Sequence, residues 1–247
     1  METPSVVKAP DGTYRLYYSA NLPPKGSNRF AIGLAISDDG KTWKKYGAGP
    51  IFAPESEWEK PFGENLKKRI GGTLEPSVLY DGTAKVFKMW YAALGTKMDS
   101  FPTYRIGYAT SPDGIRWKRA SNPVFEPGAT GAWDEACVSH THVLADSRHG
   151  CHLYYFGSSL KDQEDTDKRG ACAFTRGAIG HAYSKDGIAW QRDLRPALSS
   201  VPGTWEAWTL HGPSALVRGD KLYVWYFGSE KHDSPLSHIG LALGDWK

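Results

Sequence analysis

Carboxylates and imidazoles stand at the head of four short apolar runs in this chain of 247 residues. Glu75 directly precedes Pro76, and Glu2 lies two residues before Pro4. His211 holds the same place before Gly212-Pro213. In the remaining run Ser139-His140-Thr141-His142 takes that position, with Glu135 a few residues upstream. Carboxyl groups held across a pocket can pass protons to and from a reacting oxygen. Imidazoles at such sites can hold hydroxyls, move protons or ligate a metal. Trp58, Trp133, Trp205 and Trp208 sit just before three of the runs. Three of these tryptophans recur in register, in Glu57-Trp58-Glu59, Ala132-Trp133-Asp134 and Thr204-Trp205-Glu206, which reads as packing. Trp208 falls outside that register and is the better candidate for an aromatic face against a ligand.

Side chains of this kind need elements that bring them together, and those elements repeat. Ile106-Gly107-Tyr108-Ala109-Thr110-Ser111-Pro112-Asp113-Gly114-Ile115-Arg116-Trp117 has counterparts at Ile32–Trp43 and Ile179–Trp190, and a shortened one at Ile239–Trp246. Each full copy reads as strand, tight turn and strand, with Asp-Gly supplying the positive φ of the turn. Ahead of each lie a first strand (Pro4–Val7, Pro76–Leu79, Thr141–Leu144, Pro213–Leu216) and an aromatic second strand such as Tyr14–Ser19. The spacing predicts an all-β chain: four-stranded blades of a β-propeller, with the first strand of each lining a central channel. Four repeats are visible, the last lacking its fourth strand. The expectation is a single propeller domain over 1–247, short of one blade or closed in another way. Open sheet edges must be covered, and association of copies of the chain is one route.

Composition agrees with many short strands joined by turns: 13 Tyr and 10 Trp accompany 27 Gly and 16 Pro. The formal net charge is +3, and Lys67-Lys68-Arg69 is the one basic run. Nucleic-acid binding is therefore not expected, and no stretch is apolar and long enough to cross a bilayer. No signal peptide opens the chain, which leaves cytoplasm and exterior both open. Cys137, Cys151 and Cys172 match no zinc spacing and are expected to be buried free thiols.

The blade pattern, Pro-Ser-Val followed by Gly-x-Tyr-x-Leu-Tyr-Tyr-Ser and Ile-Gly-x-Ala-x-Ser-x-Asp-Gly-x-x-Trp, resembles the five-bladed β-propeller glycosidases. These are glycoside hydrolase families 43, 32 and 68 and their relatives such as family 130. The resemblance covers nearly the whole chain and speaks to fold more than to substrate. It implies a carbohydrate substrate and catalytic acids at the starts of inner strands. Glu75 stands where an Asp-Pro acid is expected, Glu2-Thr3-Pro4 resembles Glu-Gly-Pro, and His211 replaces the acid in the same frame. Glu75, Glu135 and Glu2 are accordingly the catalytic candidates, with Glu75 and Glu135 the leading pair for hydrolysis. His140, His142, His211, Trp208, Arg105 and Arg69 are the substrate-binding candidates. No cofactor is required, although the resemblance allows a structural calcium near His211. Phosphorolysis is the nearest alternative, with His140, His142, Arg69 and Lys67 available around a phosphate. A non-catalytic carbohydrate-binding propeller and a sialidase are further alternatives.

Overall fold

A computed structural model describes residues 2–23, 28–61, 70–95, 103–146, 150–162, 176–231 and 237–246. The regular elements among the described residues are all strands, apart from one 3-10 turn at Glu57–Glu59. Arg69, Lys67 and Cys172 lie outside them. The chain divides into two compact units, Met1–Val124 and Phe125–Lys247.

The first unit contains two meanders. β1 (Glu2–Lys8), β2 (Tyr14–Asn21), β3 (Asn28–Ser37) and the short β4 (Lys44–Lys45) form one. β5 (Ile70–Asp81), β6 (Val86–Gly95), β7 (Thr103–Ser111) and β8 (Lys118–Arg119) form the other. A three-residue parallel pairing of β3 with β5 joins them into one eight-stranded sheet. The second unit holds a four-stranded sheet, β9 (Cys137–Asp146), β10 (Gly150–Ser158), β11 (Ala178–Ser184) and β12 (Gln191–Arg192). It also holds a three-stranded one, β13 (Thr209–Arg218), β14 (Lys221–Ser229) and β15 (His238–Asp245). This is the predicted order of four meanders with the last one short.

Local chemistry explains each hairpin. Gly40, Gly114 and Gly187 have φ of 73°, 66° and 77°, a region that costs a side chain but not glycine. The aspartate before each glycine accepts backbone N–H groups two and three residues on, those of Lys41 and Thr42, Ile115 and Arg116, and Ile188 and Ala189. A serine two residues earlier donates its hydroxyl to the same carboxylate at 2.9 Å in all three turns. The amides of Thr42 and Lys41 lower the Asp39 pKa to about 2. The turn is thus a closed local device, and its Asp is structural.

Alternation along the strands sends one set of side chains into each core. In the first unit Tyr17, Ile32, Leu34, Val78, Phe87, Met89 and Tyr91 pack together. In the second, Tyr154, Ile179, Leu210, Ala215 and Val224 do so. Full burial of such a side chain contributes about 1.5–3 kcal/mol. β15 leaves Ile239, Leu241 and Leu243 exposed on its other face. Cys151 is the expected buried free thiol, whereas Cys137 departs from the expectation and is disulfide-bonded.

Candidate functional site

Every first strand is interrupted at the same place. The register shifts between Glu2 and Ser5 on β1, Leu74 and Ser77 on β5, Ser139 and His142 on β9, and His211 and Ser214 on β13. The residue that bulges has a left-handed backbone each time: Thr3 (φ 46°), Glu75 (54°), His140 (48°) and Gly212 (58°). Glycine adopts this conformation cheaply, whereas a non-glycine residue in it costs on the order of 1–3 kcal/mol. Thr3 and Glu75 also precede prolines, which adds a steric restriction. Strain retained at equivalent positions with three different side chains points to what those side chains do.

In the first unit the bulges form a polar corner. Glu75 is 5% exposed, and its backbone N–H donates to Ser19 Oγ at 2.8 Å. Ser19 Oγ lies 2.6 Å from Thr3 Oγ1. Ser5 Oγ accepts the N–H of Val78 at 2.9 Å, a second stitch between β1 and β5. Tyr104 is buried beside them. Burial first, then the charges of Glu75 and Glu2, push its hydroxyl far above the usual range, so it stays neutral. Arg105, next along β7, is buried too. Glu2 is exposed on β1, and its backbone is the register partner of Ser19. Sequence reasoning named Glu75, Glu2 and Arg105 but missed Thr3, Ser19 and Tyr104. The available signal was the strained pre-proline position, which Thr3 shares with Glu75.

In the second unit the same positions build an aromatic corner. His211 is buried, with its ring parallel to Phe156 at 3.8 Å and to Phe227 at 5.1 Å. His140 meets it edge-on at 5.2 Å, and its Nδ1 lies 3.0 Å from Ser139 Oγ. The imidazole of His142 is driven down to about 4 by burial, with the Ala215 backbone opposing, so it is neutral at pH 7. Calcium takes six to eight oxygen ligands, whereas His211 is flanked by phenyl rings. Among the described residues no group of three or more His, Cys, Asp or Glu side chains converges as metal ligands. The residues around His211 therefore do not fit that ion, and no step below is routed through it.

A separate cavity of about 580 Å³ in the second unit brings Glu135 and Trp208 together with Lys161, Asp162 and Arg176. The Arg176 guanidinium lies over the Trp208 ring at 4.7 Å. The Glu135 carboxylate accepts the N–H of Gly131 at 2.5 Å and that of Leu160 at 3.4 Å. His140 and His211 are not on its wall.

The tryptophans in register form a clasp. Trp58, Trp133 and Trp205 stack on Tyr91, Tyr155 and Tyr226 at 6.0, 5.8 and 6.0 Å. The acid after each tryptophan accepts the hydroxyl of the same tyrosine: Glu59 at 2.6 Å, Asp134 at 2.8 Å and Glu206 at 2.7 Å. Each tyrosine lies opposite the glycine of an Ile-Gly pair, Gly107, Gly180 or Gly240. A Cβ there would fall 2.3–2.4 Å from the tyrosine Cζ, so only glycine lets the ring lie flat. Arg192 donates to Asp134 at 2.5 Å, and Arg119 pairs with Glu55 beside Glu59. These acids are scaffold, which separates them from Glu75.

No family model matches the chain. An uncharacterized protein of Mycobacterium tuberculosis (strain ATCC 25618 / H37Rv) is 25% identical over 232 residues, covering 91% of this chain and 65% of its own length. The chain thus spans 65% of the length of the first curated relatives it matches. A β-1,2-mannobiose phosphorylase of Thermoanaerobacter sp. (strain X514) is 30% identical over 116 residues, 46% of this chain and 37% of that protein. Among solved structures, a thermostable family-43 glycoside hydrolase superposes with a TM-score of 0.66 at 17% identity, covering 98% of this chain and 70% of the other. The β-1,2-mannobiose phosphorylase from Listeria innocua, in complex with β-1,2-mannobiose, gives 0.66 at 17% identity, covering 100% and 57%. The chain thus shares the β-propeller fold of these structures, one of which is a hydrolase and the other a phosphorylase.

Proposed function

We propose that a chain with this fold cleaves glycosidic bonds, with Glu75 as the proton donor. The observation that carries the reading is a carboxylate 5% exposed on a strained, bulged strand start. Its backbone is tied by Ser19, and a neutral tyrosine stands beside it. The acid form of Glu75 gives its proton to the bridging oxygen as the bond from that oxygen to the anomeric carbon breaks. In hydrolysis a second carboxylate, for which the sequence offers Glu135 as the candidate, takes a proton from the water that adds to the anomeric carbon, or attacks that carbon itself. Trp208, in the same cavity as Glu135, offers an aromatic face to a sugar ring. Glu2 is a further candidate acid, and His140, His142, His211 and Arg105 are proposed to hold sugar hydroxyls.

Phosphorolysis is the second reading, favoured by the phosphorylase relative and by the backbone bonds that already engage Glu135. An oxygen of inorganic phosphate then attacks the anomeric carbon, and the product is a glycosyl phosphate. The test is a panel of nitrophenyl glycosides and of β-1,2-linked mannobiose, each with and without phosphate. Turnover in plain buffer supports hydrolysis, and turnover only with phosphate supports phosphorolysis. Failure on every substrate by folded protein, with sugars still bound, would leave a carbohydrate-binding propeller instead.

A further inference from the structure

We infer that Ser19 is a positioning residue that holds the Glu75 carboxylate in place through the backbone. This rests on the reading of Glu75 as the proton donor. Ser19 lies on β2 and is 2% exposed. Its one oxygen serves two strained bulges: it accepts the N–H of Glu75 at 2.8 Å and pairs with Thr3 Oγ1 at 2.6 Å. Thr3 and Glu75 are the bulged residues of two different meanders. A bulge breaks the strand ladder at that point, and the Glu75 N–H reaches a side chain instead. A left-handed, pre-proline Glu needs its surroundings to hold it there, because its local preference is for extended backbone.

The internal repeat shows that a hydroxyl here is not a requirement of the fold. Ser19 follows Tyr18, which lies opposite Gly33, just as Tyr91, Tyr155 and Tyr226 lie opposite Gly107, Gly180 and Gly240. The residues after those tyrosines are Ala92, Phe156 and Phe227. A meander thus folds with a methyl or a phenyl group at this position. The hydroxyl occurs only where the neighbouring bulge carries Glu75. Thr3 orients that hydroxyl, and its own left-handed φ of 46°, disfavoured for a β-branched residue, keeps its Oγ1 in reach.

Three variants and one structure test this. With the substrate found by the glycoside panel, Ser19→Ala should lower kcat by about 10- to 100-fold, with KM within about threefold. Thr3→Val, nearly isosteric, should lower kcat less, by about 3- to 10-fold, on the same reasoning. Residues that act as one unit do not add, so Ser19→Ala should cost less than about threefold in the Glu75→Gln background. A crystal structure of Ser19→Ala should show Glu75 out of the left-handed region or its carboxylate displaced. Full additivity in the double variant, or an unmoved Glu75 in that structure, overturns the inference. Wild-type turnover by Glu75→Gln overturns the proton-donor reading instead. The crystal structure decides whether Ser19 holds Glu75 whatever the activity proves to be.

Discussion

The two units use one backbone device for different chemistry. At one bulge of the first unit stands Thr3, and at the other a carboxylate, tied by a serine hydroxyl and flanked by a neutral tyrosine. At the bulges of the second stand His140 and Gly212, with His211 between two phenyl rings. The residue after the tyrosine that lies opposite the glycine of an Ile-Gly pair makes the difference. Ser19 turns its corner polar, and Phe156 and Phe227 turn theirs aromatic. The bulge therefore supplies a presented side chain, and the neighbouring strand determines whether its surroundings are polar or aromatic. A second contrast runs through the acids. Glu59 and Asp134 are fully buried, and they and Glu206 accept from tyrosines, whereas Glu75 has no counterpart acid in the other bulges.

That contrast between scaffold acid and site acid can be broken by substitution. Asp134→Ala removes the acceptor of the Tyr155 hydroxyl and of the Arg192 guanidinium. Breaking a buried pair in this way should cost about 3 kcal/mol or more, read as a shift in a urea unfolding curve. Glu75→Gln should behave oppositely, with an unchanged melting temperature and turnover reduced by about two orders of magnitude, equal to about 2.7 kcal/mol. A destabilised Glu75→Gln with normal turnover would place Glu75 among the scaffold acids.

The imidazole corner has its own test. The unfolded chain takes up a proton on His142 near its ordinary value of 6.5, whereas the folded chain resists it down to about 4. The His142 contribution is therefore fully present above pH 6.5 and is lost as pH falls toward 4, by at most about 3 kcal/mol. His142→Phe should flatten that part of the stability–pH curve, and an unchanged slope would show that other groups cause it. Glu135→Gln carries the smallest expected effect on stability, since the amide oxygen can still accept one of the two N–H groups. Hydrolysis predicts that it also loses about tenfold or more in turnover. A wild-type rate in phosphate would assign the second role to phosphate.

Much of this was legible in the residues. Asp-Gly in a fixed frame marked the hairpins, because the left-handed turn and its Asx bonds are local. Glu75 stood out by its proline, and the tryptophans in register were read as packing. What escaped notice depends on contacts between distant residues. Ser19 looks like any strand serine until the Glu75 N–H, 56 residues later, is found on its oxygen. The acids beside the tryptophans gain meaning only from tyrosines 20 to 32 residues away. Glu135 looked like an acid free for chemistry, and the backbone bonds from Gly131 and Leu160 could not be read from its neighbours.

The clasp has a consequence for how the chain is made. Each Trp-acid pair precedes the meander whose second strand it grips, and the acid lies 32 residues before its tyrosine for Glu59 and Tyr91, 21 for Asp134 and Tyr155, and 20 for Glu206 and Tyr226. On a ribosome the socket emerges before the strand that fills it. Closing a loop of this size carries a modest entropy cost that grows only slowly with length. Each of these three meanders can therefore lock as soon as its second strand clears the exit tunnel, without waiting for the chain behind it. Its apolar strands are then exposed for only the brief time needed to synthesise a few dozen residues.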